Sequence, residues 1–389
     1  MTRLLVSLFL CLGLQLTSSY AHDHTLATDT LVHRPTILSV HKDTTLNPGE
    51  KIKEYGNIFV RFVKAFDEID TTYIIPNRYN WAFMMQNTNS YEYYSMHSSR
   101  DNQRLTFSPN PSFRFGPYLG WRWIFLGYTF DVNSFGKDHK SQKTEFELSI
   151  YSSMIGCDLI YRRTGNDFRI HDISGFGDYA RQVEGRSTNG IRLQVTGANL
   201  YYVFNHKRFS YPAAFAQSTV QRRSCGSWML GLSVTQHLIE FDYSELPQEL
   251  TSNPLHPLSE NFKFNKVNYM DYSISGGYGY NWVFKKNWLL NFSLMPAIGY
   301  KHTKTKDFWK DDKESESLPK YLRPLHLNNF NFNCTIRAGL VWNTTKYFGG
   351  LSLIVHNYNY NHSKLQINNA FGTLNLYMGL NFHKRKQYR

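Results

Sequence analysis

The sequence has little cysteine, and the cysteine it has is widely spaced. Of four cysteines, Cys11 lies in an apolar N-terminal run, and Cys157, Cys225 and Cys334 are far apart in the rest of the chain. A disulfide framework or a cysteine-based zinc site requires paired or closely spaced thiols, such as C-x-x-C. The sequence also has no P-loop and no cluster of metal-ligating residues. We therefore predict no metal and no cofactor.

Long hydrophobic runs are absent after the N-terminus. No segment approaches the roughly 18 consecutive apolar residues that indicate a membrane-spanning helix, and the mean hydropathy is -0.46. A soluble secreted protein has such an average, but a transmembrane β-barrel has it too, because half of every strand faces a polar lumen. Aromatic residues make up 16% of the chain, and barrels concentrate them in belts at both membrane interfaces. The aromatic content favours the barrel.

The N-terminal residues indicate export. Arg3 precedes an apolar run over residues 4–16, and a small-residue cleavage site ends at Ala21. The run is too short for a spanning helix, which needs roughly 20 residues, so residues 1–21 are predicted to be a secretory signal peptide. We expect cleavage near Ala21 and delivery to the outer membrane of a Gram-negative bacterium. Residues 22–48 lack periodicity and are expected to form a flexible leader.

A helical repeat follows within residues 49–76. Apolar side chains recur there every three or four residues, as in an amphipathic helix. They are Ile52, Tyr55, Phe59, Phe62, Val63 and Phe66. We expect this segment in the periplasm, at the rim of the barrel or at the membrane interface. A plug inserted in the lumen is the alternative, but an aromatic stripe suits an apolar partner better than a wet lumen.

The strongest pattern in the chain is strict alternation between residues 268 and 302. On both sides of a polar turn at residues 285–287, one parity carries large apolar side chains and the other carries small or polar ones. Successive side chains of a strand point to opposite faces, so one face is predicted to contact lipid and the other to line a lumen. The same period recurs between residues 77 and 383. It predicts one all-β domain, a transmembrane antiparallel β-barrel.

Connection lengths bear on the number of strands. Short links alternate with long ones, as periplasmic turns and extracellular loops do in outer-membrane barrels. The long ones, expected to project outward, are residues 164–190, 240–267 and 303–327. A tally that includes a strand at residues 91–97 gives an odd number, whereas single-chain barrels have an even one, and the long connection at 206–224 is the suspect. We expect twelve strands, with fourteen as the alternative, and a basic periplasmic tail at residues 384–389.

Parity places charged side chains on the face expected to line the lumen. They are Arg114, Arg122, Asp131, Glu145, Glu147, Asp158, Arg162, Asp271, Lys301 and Arg337. Facing lipid, an arginine or lysine would cost about 2 to 4 kcal/mol at the bilayer midplane. In the lumen these charges could form a binding or conduction path, or a network of ion pairs that fills the interior. We favour the network, because neighbouring strands carry opposite signs.

Tryptophan residues near strand ends are candidates for an aromatic girdle at the membrane interface. They are Trp81, Trp121, Trp123, Trp282, Trp288 and Trp342. The formal net charge of +13 favours anionic partners, so we expect contact with outer-membrane lipid and lipopolysaccharide phosphates, or with anionic solutes, rather than with nucleic acid. The sequence does not indicate an oligomeric state.

A passive role suits such a chain best, either as a small-solute pore with an open lumen or as a structural or surface-binding barrel with a filled one. The alternative is a barrel-embedded enzyme that acts on envelope lipid by acyl transfer or hydrolysis. Its residue types are present at His206, Ser210, Ser218 and His237, but without a G-x-S-x-G motif they define no catalytic pair. A soluble lipocalin-like barrel, with an apolar interior, is the alternative fold.

Several longer motifs resemble those of a known family. They are Asp70-Thr71-Thr72-Tyr73, Phe107-Ser108-Pro109-Asn110-Pro111, Phe115-Gly116-Pro117-Tyr118-Leu119-Gly120-Trp121, Tyr161-Arg162-Arg163-Thr164-Gly165 and Phe209-Ser210-Tyr211-Pro212. With these motifs the chain resembles the exported domain-of-unknown-function 4421 family of Gram-negative bacteria over most of residues 46–382. The resemblance implies an envelope protein with a barrel fold. It implies no activity and no catalytic residues.

Overall fold

The computed structural model describes residues 69–121, 124–131, 143–164, 168–303, 329–362 and 365–386. All of them belong to the second of the two units into which the chain divides, Phe59–Arg389. The signal peptide, the leader and the helix predicted around residues 52–66 lie outside the described residues. So do Arg122, Trp123 and nearly all of the loop at residues 303–327.

The described chain is almost entirely β-structure. The strands are β1 (Ile74–Pro76), β2 (Tyr79–Ser98), β3 (Gln103–Pro109), β4 (Ser112–Trp121), β5 (Ile124–Gly127), β6 (Phe130–Asp131), β7 (Thr144–Tyr151), β8 (Ile155–Arg163), β9 (Phe168–Ser174), β10 (Ser187–Thr188), β11 (Ile191–Val203), β12 (Thr219–Gln221), β13 (Cys225–Phe241), β14 (Lys266–Lys285), β15 (Trp288–Thr303), β16 (Phe330–Asn343), β17 (Tyr347–His362) and β18 (Leu365–Lys384). The helices are α1 (Tyr211–Phe215) and α2 (Gln248–Thr251), with 3-10 turns at Asp178–Val183, Tyr243–Glu245 and Glu260–Phe262. No helix in this part of the chain is long and apolar enough to cross a membrane.

The long strands form one curled antiparallel sheet in which neighbours in sequence are neighbours in space. Its order runs from β2 through β18, β17, β16, β15, β14, β13, β11 and β8 to β7. β2 pairs with β18 along nearly its whole length, which joins the first long strand to the last. At the other seam, Arg114 on β4 forms an ion pair with Glu145 on β7 at 3.3 Å. The expected all-β antiparallel barrel is confirmed.

The described strands run across the sheet twelve times. β3 with β4, and β5 with β6, each count as one crossing, and the short strands β1, β9, β10 and β12 are not counted. Tyr79–Ser98 is a single strand of 20 residues, so the separate strand expected at residues 91–97 was wrong and accounts for the odd tally. β3 and β4 form one crossing that is interrupted at Asn110 and Pro111, since both pair with β2. Residues 206–224 add no crossing, because they leave the sheet and enter its interior.

The two faces of the sheet differ sharply in polarity. Large apolar side chains on the outer face are exposed, among them Trp228, Leu232, Ile274, Phe292 and Met378. Polar side chains on the inner face are buried, among them Asp158, Ser273, Asn291, Asn333 and Arg337. An apolar exterior around a polar interior is the arrangement of a membrane barrel and the inverse of a lipocalin. The lipocalin-like alternative is therefore wrong.

We call the end of the sheet where β2 begins and β18 ends the base, and the opposite end the top. At the top, residues 168–188 and 242–265 fold over the sheet and form a cap. The cap has a hydrophobic core, in which Phe168, Phe176, Leu250 and Phe262 are buried against Leu105, Phe107 and Tyr269 of the strands. Loops expected to project outward at these positions instead fold back, because their apolar side chains find partners inside the top of the sheet.

The cap is also hydrogen-bonded to the turn between β2 and β3. Gln103 donates to the carbonyl of Pro257 at 2.9 Å and accepts from the backbone N–H of Ser259 at 2.9 Å. The hydroxyls of Ser98 and Ser259 lie 2.8 Å apart. These buried polar contacts fix one edge of the cap to the sheet.

Candidate functional site in the barrel interior

Residues 204–224, which connect β11 to β13 at the base, form a plug. Its helix α1 begins at a Ser210 N-cap, whose hydroxyl accepts from the Ala213 N–H at 3.2 Å, and Pro212 suits the first helical turn. Ala213 and Ala214 are buried against Leu289 and Val341 of the sheet. The segment is therefore a folded element inside the barrel rather than a turn outside it.

Polar side chains fasten the plug to three strands. The Tyr211 hydroxyl lies 2.5 Å from the Ser293 hydroxyl on β15. Gln217 donates to the Tyr377 hydroxyl on β18 at 2.7 Å and accepts from the Asn343 amide on β16 at 3.2 Å. Because these groups are buried, each unpaired partner would cost about 1 to 3 kcal/mol. The plug is held in one position.

Residues 70–76, near the start of the described chain, bind the plug through a strand pairing and an ion pair. β1 pairs with β12, and we call this two-stranded pairing the clasp. Arg208 of the plug forms an ion pair with Asp70 at 3.3 Å. Hydrogen bonds from the hydroxyl and backbone N–H of Thr72, with a smaller contribution from Arg208, hold the pKa of Asp70 below its usual range. Asp70 is thus ionised and able to hold the arginine.

Above the plug, an ion pair crosses the interior. Arg337 on β16 donates to Asp158 on β8 at 2.5 Å, and both side chains are almost fully buried. Asp158 also accepts from the hydroxyl of Ser149 at 2.7 Å and from the amide of Asn199 at 3.2 Å. The Arg337 guanidinium carbon lies 5.1 Å from the ring centre of Tyr201. Since several strands separate β8 from β16 in the sheet order, this contact spans the lumen.

A second charged cluster joins β2, β7 and β8. Glu92 contacts Lys143 at 2.8 Å and Arg162 at 3.5 Å. Lys143 also contacts Glu145 at 2.9 Å, and Glu145 contacts Arg114. The alternating signs neutralise one another, as a filled interior requires.

The third polar group lies between β14, β15 and β16. Asp271 accepts from the amides of Asn331 and Asn333 at 2.5 and 2.9 Å, and from the Ser273 hydroxyl at 2.5 Å. Lys301 donates to the carbonyl of Asn361 at 2.7 Å. Asp271 is therefore satisfied by neutral donors, whereas Lys301 is satisfied by a backbone acceptor.

Glu147 differs from the other interior carboxylates. It lines a cavity of about 360 Å³ together with Arg114, Arg162 and Tyr377, and the plug residues Phe215, Ala216 and Gln217 line the cavity as well. Its hydrogen-bond partner is the Thr373 hydroxyl at 3.5 Å.

For Asp131 the structure gives the backbone position alone, opposite Arg114 in the register of β6 and β4.

The predicted girdle residues that are described lie on the outer face near the base. Trp81 pairs with Trp121 in the register of β2 and β4, and Trp288 pairs with Trp342 in that of β15 and β16. Trp282 is half exposed, and its ring centre lies 5.5 Å from that of Phe284 in a tilted contact. Five indoles thus share one level of the sheet.

Sequence reasoning missed Glu92, Lys143 and the plug residues Tyr211 and Gln217. Glu92 lies on the inner parity of β2, so the alternation of that strand could have identified it. The plug's signal was the length of the connection, because a structured insert needs more residues than a short turn does.

Of the residues considered for catalysis, His206, Ser210 and Ser218 lie in the plug and His237 lies beneath the cap. Ser210 caps α1 in the plug and has the Thr219 hydroxyl at 2.7 Å. His237 stacks on Tyr269 with ring centres 4.7 Å apart, beneath the cap. His206 packs on Tyr202 at 6.3 Å near the base. Among these four described residues, no hydrogen bond joins a serine to a histidine, as one would join a nucleophile to its base.

Comparison with known proteins gives a family and a set of distant structural likenesses. The sequence profile of the family described as domain of unknown function (DUF4421) matches residues 68–382. None of the curated proteins matches the chain.

Among solved structures, the chain is similar to the outer-membrane protease OmpT of Escherichia coli, with 8% identity, a TM-score of 0.32 and coverage of 79% of this chain and 98% of that chain. It is also similar to OprG of Pseudomonas aeruginosa, with 8% identity, a TM-score of 0.22 and coverage of 79% and 98%. A third is Ail of Yersinia pestis, solved with a heparin analogue, with 7% identity, a TM-score of 0.20 and coverage of 76% and 98%. TM-scores this low carry no argument about function.

Proposed function

The chain belongs to the DUF4421 family, and from that premise we propose that it is an outer-membrane barrel with a closed lumen, whose role is structural or surface-binding. The Arg337–Asp158 ion pair carries the proposal, because it crosses the interior between a plug below and an apolar cap above. An open pore needs a continuous aqueous path. Three successive layers of packed side chains stand in its way.

The outer face supports insertion in a membrane. Tyr272 and Trp282 are exposed on the same face of β14, ten positions apart. At about 3.3 Å per residue and a tilt near 40°, that spacing corresponds to roughly 25 Å along the barrel axis, the usual height of the apolar band.

The proposed orientation places the base in the periplasm and the cap outside the cell. The predicted signal peptide and the position of both ends of the sheet at the base support it. The short turns at the base and the long capped loops at the top follow the same asymmetry seen in outer-membrane barrels generally. Lipid and lipopolysaccharide would then contact the outer face and its upper rim.

Conductance of the refolded full-length protein in planar bilayers tests the closed lumen. We expect no steady current from the native protein and solute permeability equal to that of protein-free liposomes. Replacing residues 206–223 with a short turn removes one of the three layers, and this variant should also carry no steady current because the ion pair and the cap remain. Tyr211→Phe, which keeps the ring in place, is the matched control and should remain closed.

A steady current through the native protein would refute the closed lumen. Heat-modifiable gel migration of each variant shows whether the barrel has folded, so a silent variant that has not folded is recognised as such. A plug-free barrel that folds and stays silent would assign the closure to the ion pairs and the cap alone.

A further inference from the structure

The cap contains a cleft between its two segments. One wall is formed by residues 176–186 and the other by residues 245–256, and the space between them is about 970 Å³. Ligand pockets typically enclose roughly 300 to 1,000 Å³, so the volume of this cleft lies near the upper end of that range. It lies on the top, apart from the interior described above.

The cleft is preformed. The Asn253 amide donates to the Phe176 carbonyl at 3.2 Å and so ties the second wall to the first. Arg186 and Glu249 form an ion pair at 2.8 Å across the same space. Phe176 and Leu250 are buried in the core beneath. A ligand would therefore meet a fixed surface, which reduces the entropic cost of binding.

Two large apolar side chains at the cleft are exposed. Tyr179 on the first wall is 71% exposed and Leu255 on the second is 84% exposed. Within the described cap these are the large hydrophobic side chains left in solvent, whereas the others pack in the core. Tyrosine is one of the residue types enriched among the side chains that dominate binding at protein interfaces.

The charge of the cleft is opposite to that of the chain. Its lining carries Asp178, Glu245 and Glu249 against Arg186, whereas the whole sequence has a net charge of +13. Arg186 is already engaged by Glu249, and Asp178 forms an ion pair with the exposed Arg181 at 3.8 Å. The Glu249 pKa is held below its usual range by the helix backbone N–H and by Arg186, so this carboxylate is ionised. The acidic lining repels anions and attracts cations.

We propose that the cleft binds a basic peptide segment of a partner protein, with an apolar side chain seated between Tyr179 and Leu255 and a cationic side chain facing Glu245. Exposed carboxylates and exposed apolar side chains together match a ligand that carries both kinds of group. A second copy of this chain, although basic overall, would match the acidic lining of the cleft only where a short basic segment contacts it. The inference names the ligand of the surface role proposed above and rests on it.

Binding is measured by fluorescence anisotropy on the full-length protein in non-ionic detergent. The probe is a fluorescein-labelled hexapeptide of alternating arginine and leucine, and the control peptide carries glutamate in place of arginine. We expect the basic peptide to bind and the acidic one not to bind. Glu245→Gln should weaken binding about threefold, as loss of one exposed charge pair does, and Tyr179→Ala roughly tenfold.

The matched control variant is Glu260→Gln. Glu260 is exposed in the cap and pairs with Lys263 at 2.6 Å, outside the cleft, so its removal should leave affinity unchanged. Equal binding of the acidic peptide, or unchanged affinity in both cleft variants, would overturn the inference. Displacement of the probe by maltoheptaose would reassign the cleft to a glycan. Conductance of the same samples stays silent in each of these cases if the closed lumen is right, so the two proposals fail separately.

Discussion

Removing the Arg337 side chain should destabilise the barrel by about 3 kcal/mol or more, because breaking a buried ion pair leaves its partner charge uncompensated. The structure sets the size of the effect. In Arg337→Met, Asp158 keeps its hydrogen bonds from Ser149 and Asn199, so the cost falls near the lower end of the usual range of roughly 3 to 5 kcal/mol. The contact with the Tyr201 ring is lost as well.

The double variant Arg337→Met with Asp158→Leu removes both charges. Replacing a whole buried pair with apolar groups is often neutral or stabilising, so the double variant should be more stable than Arg337→Met alone. Arg208→Ala is the matched control, since Arg208 and Asp70 form a largely exposed pair. Its loss should cost less than about 1 kcal/mol.

Unfolding free energies are measured in phospholipid vesicles by urea titration, followed by tryptophan fluorescence. Additive effects of the two single substitutions, with the double variant the least stable of all, would refute the coupling across the lumen. A cost for Arg337→Met no greater than that for Arg208→Ala would show that the interior charges are solvated, and the lumen would then be open to water.

Further substitutions test the packing and the membrane face by the same titration. Gly156→Ala should cost about 1 to 3 kcal/mol, because a Cβ atom there would lie 2.1 Å from the Tyr201 ring; Gly276→Ala, which meets open space, should stay within about 0.5 kcal/mol. Equal costs at the two glycines would contradict the interior packing. Leu294→Arg should cost about 2 to 4 kcal/mol, because exposed Leu294 pairs with Tyr278 near the middle of the band between Tyr272 and Trp282; Tyr272→Arg at the upper edge of that band should cost about 1 kcal/mol or less. A cost for Leu294→Arg no larger than that for Tyr272→Arg would argue against lipid at that face.

The sheet could be predicted from the sequence because period-two alternation records two solvents in every strand. The paired alternation of β14 and β15 gave both strands and their turn at residues 285–287 to within a residue or two. Alternation could not show which face of the sheet points to the interior, because it separates two faces without saying which one is inside. Burial of Arg337 and exposure of Ile274 in the structure supply it.

The interior could be predicted only in part. Alternation identified Asp158 and Arg337 separately, but their pairing depends on which strands lie opposite each other in a closed sheet, and local patterns do not encode that. Outside the short strands β9, β10 and β12, the plug and the cap lack period two. Their apolar residues, such as Tyr211 and Phe262, become interpretable only when the sheet provides a surface to bury them.

The plug also bears on how such a barrel assembles. Contacts between α1 and β15 join residues about 80 positions apart, such as Tyr211 and Ser293, whereas the seam between β2 and β18 joins residues about 300 apart, such as Trp81 and Phe382. The entropic cost of closing a loop grows with its length, so the contacts between residues closer in sequence form first. The plug therefore packs on the polar face of an incomplete sheet before the two edge strands pair. Once packed, the plug sets the curvature that the sheet needs for β18 to reach β2.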